Sequence, residues 1–316
     1  MCSGRYGGYI DTLMQVQALT KSYSRNQAPA LKDANFEVKN GEIVGFVGLN
    51  GAGKTTTIRV AAGIALPTSG TVLIDGHDIV KDKAAASAGI GWVPEFPNFE
   101  LNAKVWNLMI YFAGFYGLTG ANAESRVKQL LSSVGLMGFE KRRLRTYSQG
   151  MKKRFSLAAS LISDPQNLLF DEILNGLDPE GIHFMRSLVF DLKSKNRAVL
   201  LSSHILMEVQ NIADRVVFVH KGKIIQVATR DQLAVYGSKA GIIRVVIQNI
   251  NDSALSYLNS LGQTQVQGKT VTLSGYSGDS AQLNSELVKR GYLVSELGYE
   301  GSSLEDYFFK IVAEAK

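Results

Sequence analysis

The chain predicts an α/β layered domain followed by a small α+β unit, and three observations predict it. First, short apolar strands alternate with amphipathic helices from Met14 to about residue 236, the pattern of helices packed on a mostly parallel sheet. Second, Gly48-Leu49-Asn50-Gly51-Ala52-Gly53-Lys54-Thr55 fits the phosphate-loop pattern G-x-x-x-x-G-K-[ST] at every fixed position. An apolar run, 43–47, leads into it and a helical run, 56–64, leads out, which is the strand–loop–helix context the pattern requires. Third, the character changes around 234–239, after which short strands and helices of a different spacing follow.

The elements follow in chain order. Residues 14–19 alternate and predict a strand; a turn region, 21–29, carries Tyr23. Phe36-Glu37-Val38 alternates before Asn40-Gly41, a strong hairpin signal, so the returning strand of that hairpin is expected to be the one feeding the phosphate loop. Strands are predicted at 71–74 and 90–93, the second stopped by Pro94 and Pro97. Apolar residues three and four apart predict helices at 105–116, 123–134 and 148–162. Residues 168–170 form a buried-type strand, and 179–193 a helix with Pro179 in its first turn. Strands at 198–201 and 216–219 bracket a helix near 205–212. The C-terminal unit has predicted strands at 242–247, 271–273 and 292–295 and helices at 253–261, 281–290 and 303–315, an α+β set compatible with a ferredoxin-like arrangement. The expected domains are therefore a flexible extension at 1–13, a nucleotide-binding domain at 14–236 with a helical part at about 97–163, and an accessory domain at 237–316.

Composition narrows the classes. An apolar content of 45% suits a folded globular chain of 316 residues. No stretch approaches the ~18 unbroken apolar residues of a membrane span; the densest, 105–118, is cut by Asn107 and Gly114. Cys2 is the one cysteine, so no internal disulfide forms, which fits a reducing compartment. The net charge of +6 concentrates around Lys141, Arg142, Arg143, Arg145, Lys152, Lys153 and Arg154. That run is open to three readings: a nucleic-acid surface, a nucleotide- or lipid-headgroup-facing surface, or a solvated face.

The candidate chemistry starts at the phosphate loop. Small residues let backbone N–H groups wrap a polyphosphate, and the following helix adds the positive end of its dipole. Lys54 is expected to reach the β- and γ-phosphates, and the Thr55 hydroxyl to ligate Mg²⁺. The apolar strand Asn167-Leu168-Leu169-Phe170 ends in Asp171 and Glu172. Beside a phosphate loop, Asp171 suits the Mg²⁺ shell and Glu172 suits polarising an attacking water.

At this point the chain resembles the nucleotide-binding domain of the ATP-binding cassette (ABC) family, a P-loop NTPase fold with a helical subdomain. Tyr147-Ser148-Gln149-Gly150-Met151 stands where the family has its Leu-Ser-Gly-Gly-Gln signature; Ser148 and Gly150 are kept. Ser148 also precedes an apolar-periodic run and suits a helix cap. Asn175-Gly176-Leu177-Asp178 resembles the D-loop, Ser202-Ser203-His204 the switch-histidine segment, and Tyr23 the aromatic that stacks on adenine. The resemblance covers residues 14 to about 228. It implies ATP and Mg²⁺ as ligands, with Tyr23, Asn50, Gly51, Ala52, Gly53, Lys54, Thr55, Thr56, Ser148, Gln149, Gly150 and Asp178 binding nucleotide. It further implies Thr55, Glu95 and Asp171 at the metal, and Glu172, His204 and Glu95 in catalysis. Two departures stand out: Glu95 replaces the family's usual Gln, and Asp171-Glu172-Ile173-Leu174 replaces Asp-Glu-Pro-Thr.

The resemblance also implies partners. Two copies pair head to tail, each supplying its signature to the other's ATP. A separate transmembrane permease docks on the helical segment, where Phe96, Phe99, Trp106, Tyr111, Phe112, Phe115 and Tyr116 are dense. The tail Ser303-Leu304-Glu305-Asp306-Tyr307-Phe308 resembles that of stand-alone ATPase subunits of drug- or polysaccharide-type exporters, placing the chain at the cytoplasmic face of the cell membrane. The alternatives are a soluble ABC ATPase acting on nucleic acid or ribosomes, and an ATP-dependent regulator. No long heptad insert or second cassette favours the former, and no nucleic-acid partner is expected.

Overall fold

A computed structural model describes residues 12–24, 26–233, 242–276, 278–299 and 304–314. The expected extension at 1–13 therefore lies mostly outside the described residues, as does the junction at 234–241. The chain divides into two compact units between Val227 and Ala228.

The first unit runs β1 (Thr12–Lys21), β2 (Leu31–Lys39), β3 (Ile43–Val47), α1 (Lys54–Ala61), β4 (Ser69–Ile74), β5 (His77–Asp78), α2 (Lys83–Ala88) and β6 (Ile90–Val93). It continues with α3 (Val105–Phe115), α4 (Gly120–Ser133), α5 (Gln149–Ser160), β7 (Asn167–Asp171), α6 (Pro179–Ser194), β8 (Ala198–Ser203), α7 (Leu206–Ile212), β9 (Arg215–His220) and β10 (Lys223–Thr229). Two sheets result. One is four-stranded, β2-β1-β4-β5, with antiparallel neighbours. The other is six-stranded, β10-β9-β3-β8-β7-β6, and its β9, β3, β8, β7 and β6 are parallel. A shared core holds them together: Met14, Val16 and Phe36 of the first sheet meet Val44, Phe46 and Leu200 of the second, with Ile58 of α1. The Phe36 and Phe46 rings lie 5.2 Å apart.

One sequence expectation is corrected here. Asn40-Gly41 does turn the chain, with Gly41 at φ 62° and the Glu42 N–H donating to Lys39 O at 3.2 Å. It makes no hairpin: β2 pairs with β1, whereas β3 pairs with β8 and β9. The burial patterns explain the split. β2 buries alternate residues, as a strand with one solvated face does, while β3 is buried at all five, as a central parallel strand must be. α7 covers β3 so closely that a Cβ on Gly45 would lie 2.1 Å from Val209 Cγ1.

In the helical segment, α3 buries Val105, Leu108, Met109 and Ala113 and leaves Tyr111 and Phe115 exposed. α4 packs on both α3 and α5.

The second unit runs β11 (Ile243–Ile247), α8 (Asp252–Leu261), β12 (Gln263–Gln267), β13 (Thr270–Ser274), α9 (Ser280–Lys289), β14 (Val294–Tyr299) and α10 (Leu304–Glu314). Its antiparallel sheet has the order β12-β13-β11-β14, which with the β-α-β-β-α-β chain order is the ferredoxin-like arrangement. Val245, Leu258, Val271, Leu273, Leu283 and Leu287 form its core. Among the described residues of the whole chain, no helix is long and apolar enough to cross a membrane.

Candidate functional site

The loop between β3 and α1 is tightly built. Gly53 sits at φ 109°, and a Cβ there would lie 2.4 Å from the Ala30 carbonyl oxygen. Both facts demand glycine. The Thr57 hydroxyl donates to Gly53 O at 2.9 Å, and the Ala52 N–H to Leu49 O at 3.1 Å. Lys54 is buried; its Nζ donates to Gly48 O at 2.8 Å and lies 3.5 Å from Glu172 Oε1.

A cavity of about 470 Å³ opens on this loop. Of the residues expected from sequence, it gathers Asn50, Gly51, Gly53, Lys54, Thr55, Thr56, Glu95, Glu172 and His204. Ala52 is buried in the loop and Asp171 lies behind Thr55, 2% exposed. Tyr23 is not on the cavity wall: it is 61% exposed, with the Lys21 ammonium 4.9 Å over its ring.

β7 delivers the two carboxylates to opposite environments. The Ser202 hydroxyl donates to Asp171 Oδ1 at 2.6 Å, and the Thr55 hydroxyl to the same oxygen at 3.2 Å. Burial pushes the Asp171 carboxyl above the usual carboxylate range; those two hydrogen bonds pull against it and the nearby Glu172 charge adds to it. No ion pair involves Asp171 among the described residues. A buried carboxylate in no ion pair, beside a phosphate-loop threonine, is a fitting oxygen pair for Mg²⁺, which takes few protein ligands and completes its shell with phosphate and water. No cluster of three or more His, Cys, Asp or Glu that would hold a metal unaided occurs among the described residues.

Glu172 has a left-handed backbone at φ 51°, and its amide donates to Ser202 Oγ at 3.1 Å. Its Oε2 lies 2.9 Å from His204 Nδ1 and accepts from the His204 N–H at 3.3 Å. The catalytic candidates Glu172 and His204 are thus in direct contact, with Lys54 on the other side of the carboxylate.

Ser148, Gln149, Gly150 and Asp178 line a second cavity, of about 340 Å³, which shares no lining residue with the first. Ser148 caps α5 by accepting from Met151 N at 3.2 Å; Asp178 caps α6 by accepting from Gly181 N at 2.9 Å. The segment 172–178 borders both cavities: Glu172 and Asn175 on the first, Gly176, Leu177 and Asp178 on the second.

A third hollow, about 640 Å³, is aromatic: Trp92, Phe96, Phe99, Phe112, Phe115 and Tyr116 line it, and it reaches Thr55, Glu95 and Asp171. Phe96 is 80% exposed, and Trp92 Nε1 is buried without a hydrogen-bond partner. Glu95 is on the wall of both this hollow and the phosphate-loop cavity.

Sequence reasoning missed Lys153, which it placed in a basic surface run. Its side chain is buried, and Nζ donates to Glu172 O at 2.9 Å, Ile173 O at 3.1 Å and Asn175 O. Desolvation holds its pKa below the usual lysine value, with Glu95 and Glu172 drawing it back up. The available signal was helical phase: Lys153 lies four residues before Leu157, on the stripe of α5 that is buried.

Comparison with known proteins places the chain in a family. The ABC transporter family profile matches residues 31–175. The bacitracin transport ATP-binding protein BcrA of Bacillus licheniformis is 33% identical over 305 residues, covering 96% of this chain and 98% of its own. A solved ATP binding subunit of an ABC transporter is 30% identical with a TM-score of 0.65, covering 71% of this chain and 92% of its own. The cbiO1 protein of Clostridium perfringens, part of the ABC transporter complex cbiONQ, is 27% identical with a TM-score of 0.65, covering 71% and 91%. With its phosphate loop, paired carboxylates and signature cavity on one P-loop core, the chain belongs to the ABC transporter family, as one of its ATP-binding, nucleotide-binding-domain proteins.

Proposed function

We propose that this chain is the ATP-hydrolysing subunit of an exporter whose membrane-spanning part is a separate chain, and that it works as a head-to-tail pair of copies at the cytoplasmic face of the membrane. The observation that carries the pairing is the separation of the two cavities. The phosphate loop and the signature residues Ser148–Gly150 share no wall, so one nucleotide within one chain does not engage both. A second copy turned end to end brings its Ser148 cap to the first copy's phosphates, where a helix N-terminus suits an anion. ATP then joins two surfaces that gain contacts only in the closed pair.

Within the closed pair, Lys54 and the loop N–H groups hold the β- and γ-phosphates, and Thr55 with Asp171 would hold Mg²⁺, which would supply charge neutralisation at the phosphate oxygens. Glu172 accepts a proton from the attacking water as its oxygen bonds the γ-phosphorus, and the bond to the bridging oxygen breaks to release ADP. His204, against Glu172 Oε2, orients that carboxylate and faces the γ-phosphate. Loss of the γ-phosphate link reopens the pair.

The aromatic hollow supports a separate membrane partner. It is concave and rich in exposed aromatics, and Glu95 joins it to the phosphate-loop cavity, so an occupant there has a direct route to the nucleotide. Export is supported by the resemblance of the tail and by a relative named for bacitracin transport. The nucleic-acid reading loses support because Lys153, in the middle of the basic run, is buried.

Glu172→Gln, which keeps shape and removes the base, is expected to bind ATP and elute as a dimer on size exclusion in ATP. Elution as monomer alone in ATP contradicts the pairing. Co-purification from membranes with a multi-span chain tests the exporter part; stimulation of the ATPase by RNA or DNA instead contradicts it.

A further inference from the structure

Lys153 is a buried ammonium whose three donors all go to neutral backbone carbonyls of one short segment, Glu172, Ile173 and Asn175. No ion pair to it occurs among the described residues. An ammonium placed this way does not simply offset a carboxylate; it gathers one stretch of backbone around a point. That stretch holds Glu172 at its left-handed φ of 51°, a conformation a non-glycine residue keeps only when its surroundings over-determine it. The same stretch runs on to Gly176–Asp178 beside the signature cavity.

Lys153 belongs to α5, whose first residues are the signature itself: Ser148 is the cap and Gln149 and Gly150 the opening turn. A helix moves as a rigid rod over so short a distance. Any shift of its N-terminus against a nucleotide therefore carries the Lys153 ammonium with it, and the carbonyls of 172–175 follow. Gln149 reinforces the link, since its Nε2 approaches within 2.9 Å of where a Cβ on Gly176 would stand.

We propose that Lys153 is a positioning residue that makes the orientation of Glu172 depend on the position of the signature helix of its own chain. Contact between one copy's signature and the other copy's ATP then sets the first copy's own catalytic carboxylate. The two sites of a pair are thereby coupled through each protomer, and hydrolysis waits for the signature end of α5 to be seated. This rests on the paired-ATPase reading above and adds to it a physical connection within each chain.

Lys153→Met keeps the length and apolar stem and removes the donors. We expect kcat to fall about 10²-fold, the scale of a roughly 1 Å misplacement of a reacting group, with KM for ATP within about twofold. Hydrogen exchange of backbone amides in 172–178 is expected to quicken while that of α1 and β3 is unchanged. Lys153→Met combined with Glu172→Gln is expected still to pair in ATP. A kcat within about twofold of the parent, or loss of ATP binding and pairing in step with kcat, overturns the proposal. Unchanged exchange at 172–178 overturns it without reference to hydrolysis, so it is separable from failure of the ATPase reading, which shows as absence of hydrolysis in the parent chain. If Lys153→Met does not fold, Lys153→Gln, which retains a donor of shorter reach, carries the same readouts and criteria.

Discussion

Asp171 and Glu172 are chain neighbours with different tasks, and their surroundings divide the work. Asp171 is enclosed and bonded by two hydroxyls, Ser202 and Thr55, which suits holding a cation. Glu172 faces the cavity with His204 at 2.9 Å and Lys54 at 3.5 Å, which suits taking a proton from water. We expect Glu172→Gln to lower kcat by about 10²–10⁴-fold, the usual worth of a positioned base, with nucleotide affinity retained; a fluorescent-nucleotide titration beside a phosphate-release assay checks both. Asp171→Asn is expected to raise the Mg²⁺ concentration needed for half-maximal rate, and removal of Mg²⁺ by a chelator to stop the parent enzyme. Tyr147 provides a pH test. Burial, aided by Glu140, pushes its hydroxyl up to about 12, and that hydroxyl donates to Phe139 O at 3.1 Å. A phenol whose folded pKa is raised favours the fold while neutral, so its contribution is lost as pH climbs from about 10 toward 12. Tyr147→Phe is expected to cost about 1 kcal/mol at pH 7 and to lose less stability than the parent over that alkaline range, read by thermal melts. Most residues that line the phosphate-loop cavity were legible in the sequence, because glycine, lysine and paired carboxylates at fixed spacing leave few other uses. Lys153 was not, because a lysine between Lys152 and Arg154 reads as surface, and only the buried stripe of α5 distinguishes it.

At the scale of elements, α5 and the loop ahead of α1 are where sequence and geometry constrain each other most. Ser148→Ala removes the cap bond to Met151 N and is expected to cost about 1 kcal/mol of helix stability. Under the proposed pairing its effect on kcat should exceed what that loss explains, because the hydroxyl would also meet the other copy's phosphates; comparing melts with rates separates the two. Gly53→Ala should be worse for folding, since it combines a left-handed φ with a 2.4 Å approach to Ala30 O; a drop in melting temperature with loss of ATP binding is the expected result. The strands feeding the site were readable as apolar runs between turns. Their partners were not: Asn40-Gly41 has the residues of a hairpin, yet it passes the chain from one sheet to another, and only long-range pairing decides that. β12 was missed for a related reason. Gln263-Thr264-Gln265-Val266-Gln267 lies at a sheet edge, mostly exposed, and carries no apolar run to announce a strand.

At the scale of the whole chain, two compact units follow one another, a P-loop core and a ferredoxin-like unit, and the similarity to the bacitracin transport ATP-binding protein covers 96% of the chain, hence both. The core places its phosphate loop and its signature on separate cavities, joined by the segment 172–178. Under the proposed pairing, a second copy supplies the signature that completes the catalytic pocket. The most direct test is ATPase rate per molecule as a function of protein concentration, for the parent and for Ser148→Ala. The account predicts a rate per molecule that rises with concentration to a plateau and falls steeply in Ser148→Ala. A rate per molecule that is the same at every dilution, and unchanged by Ser148→Ala, contradicts it.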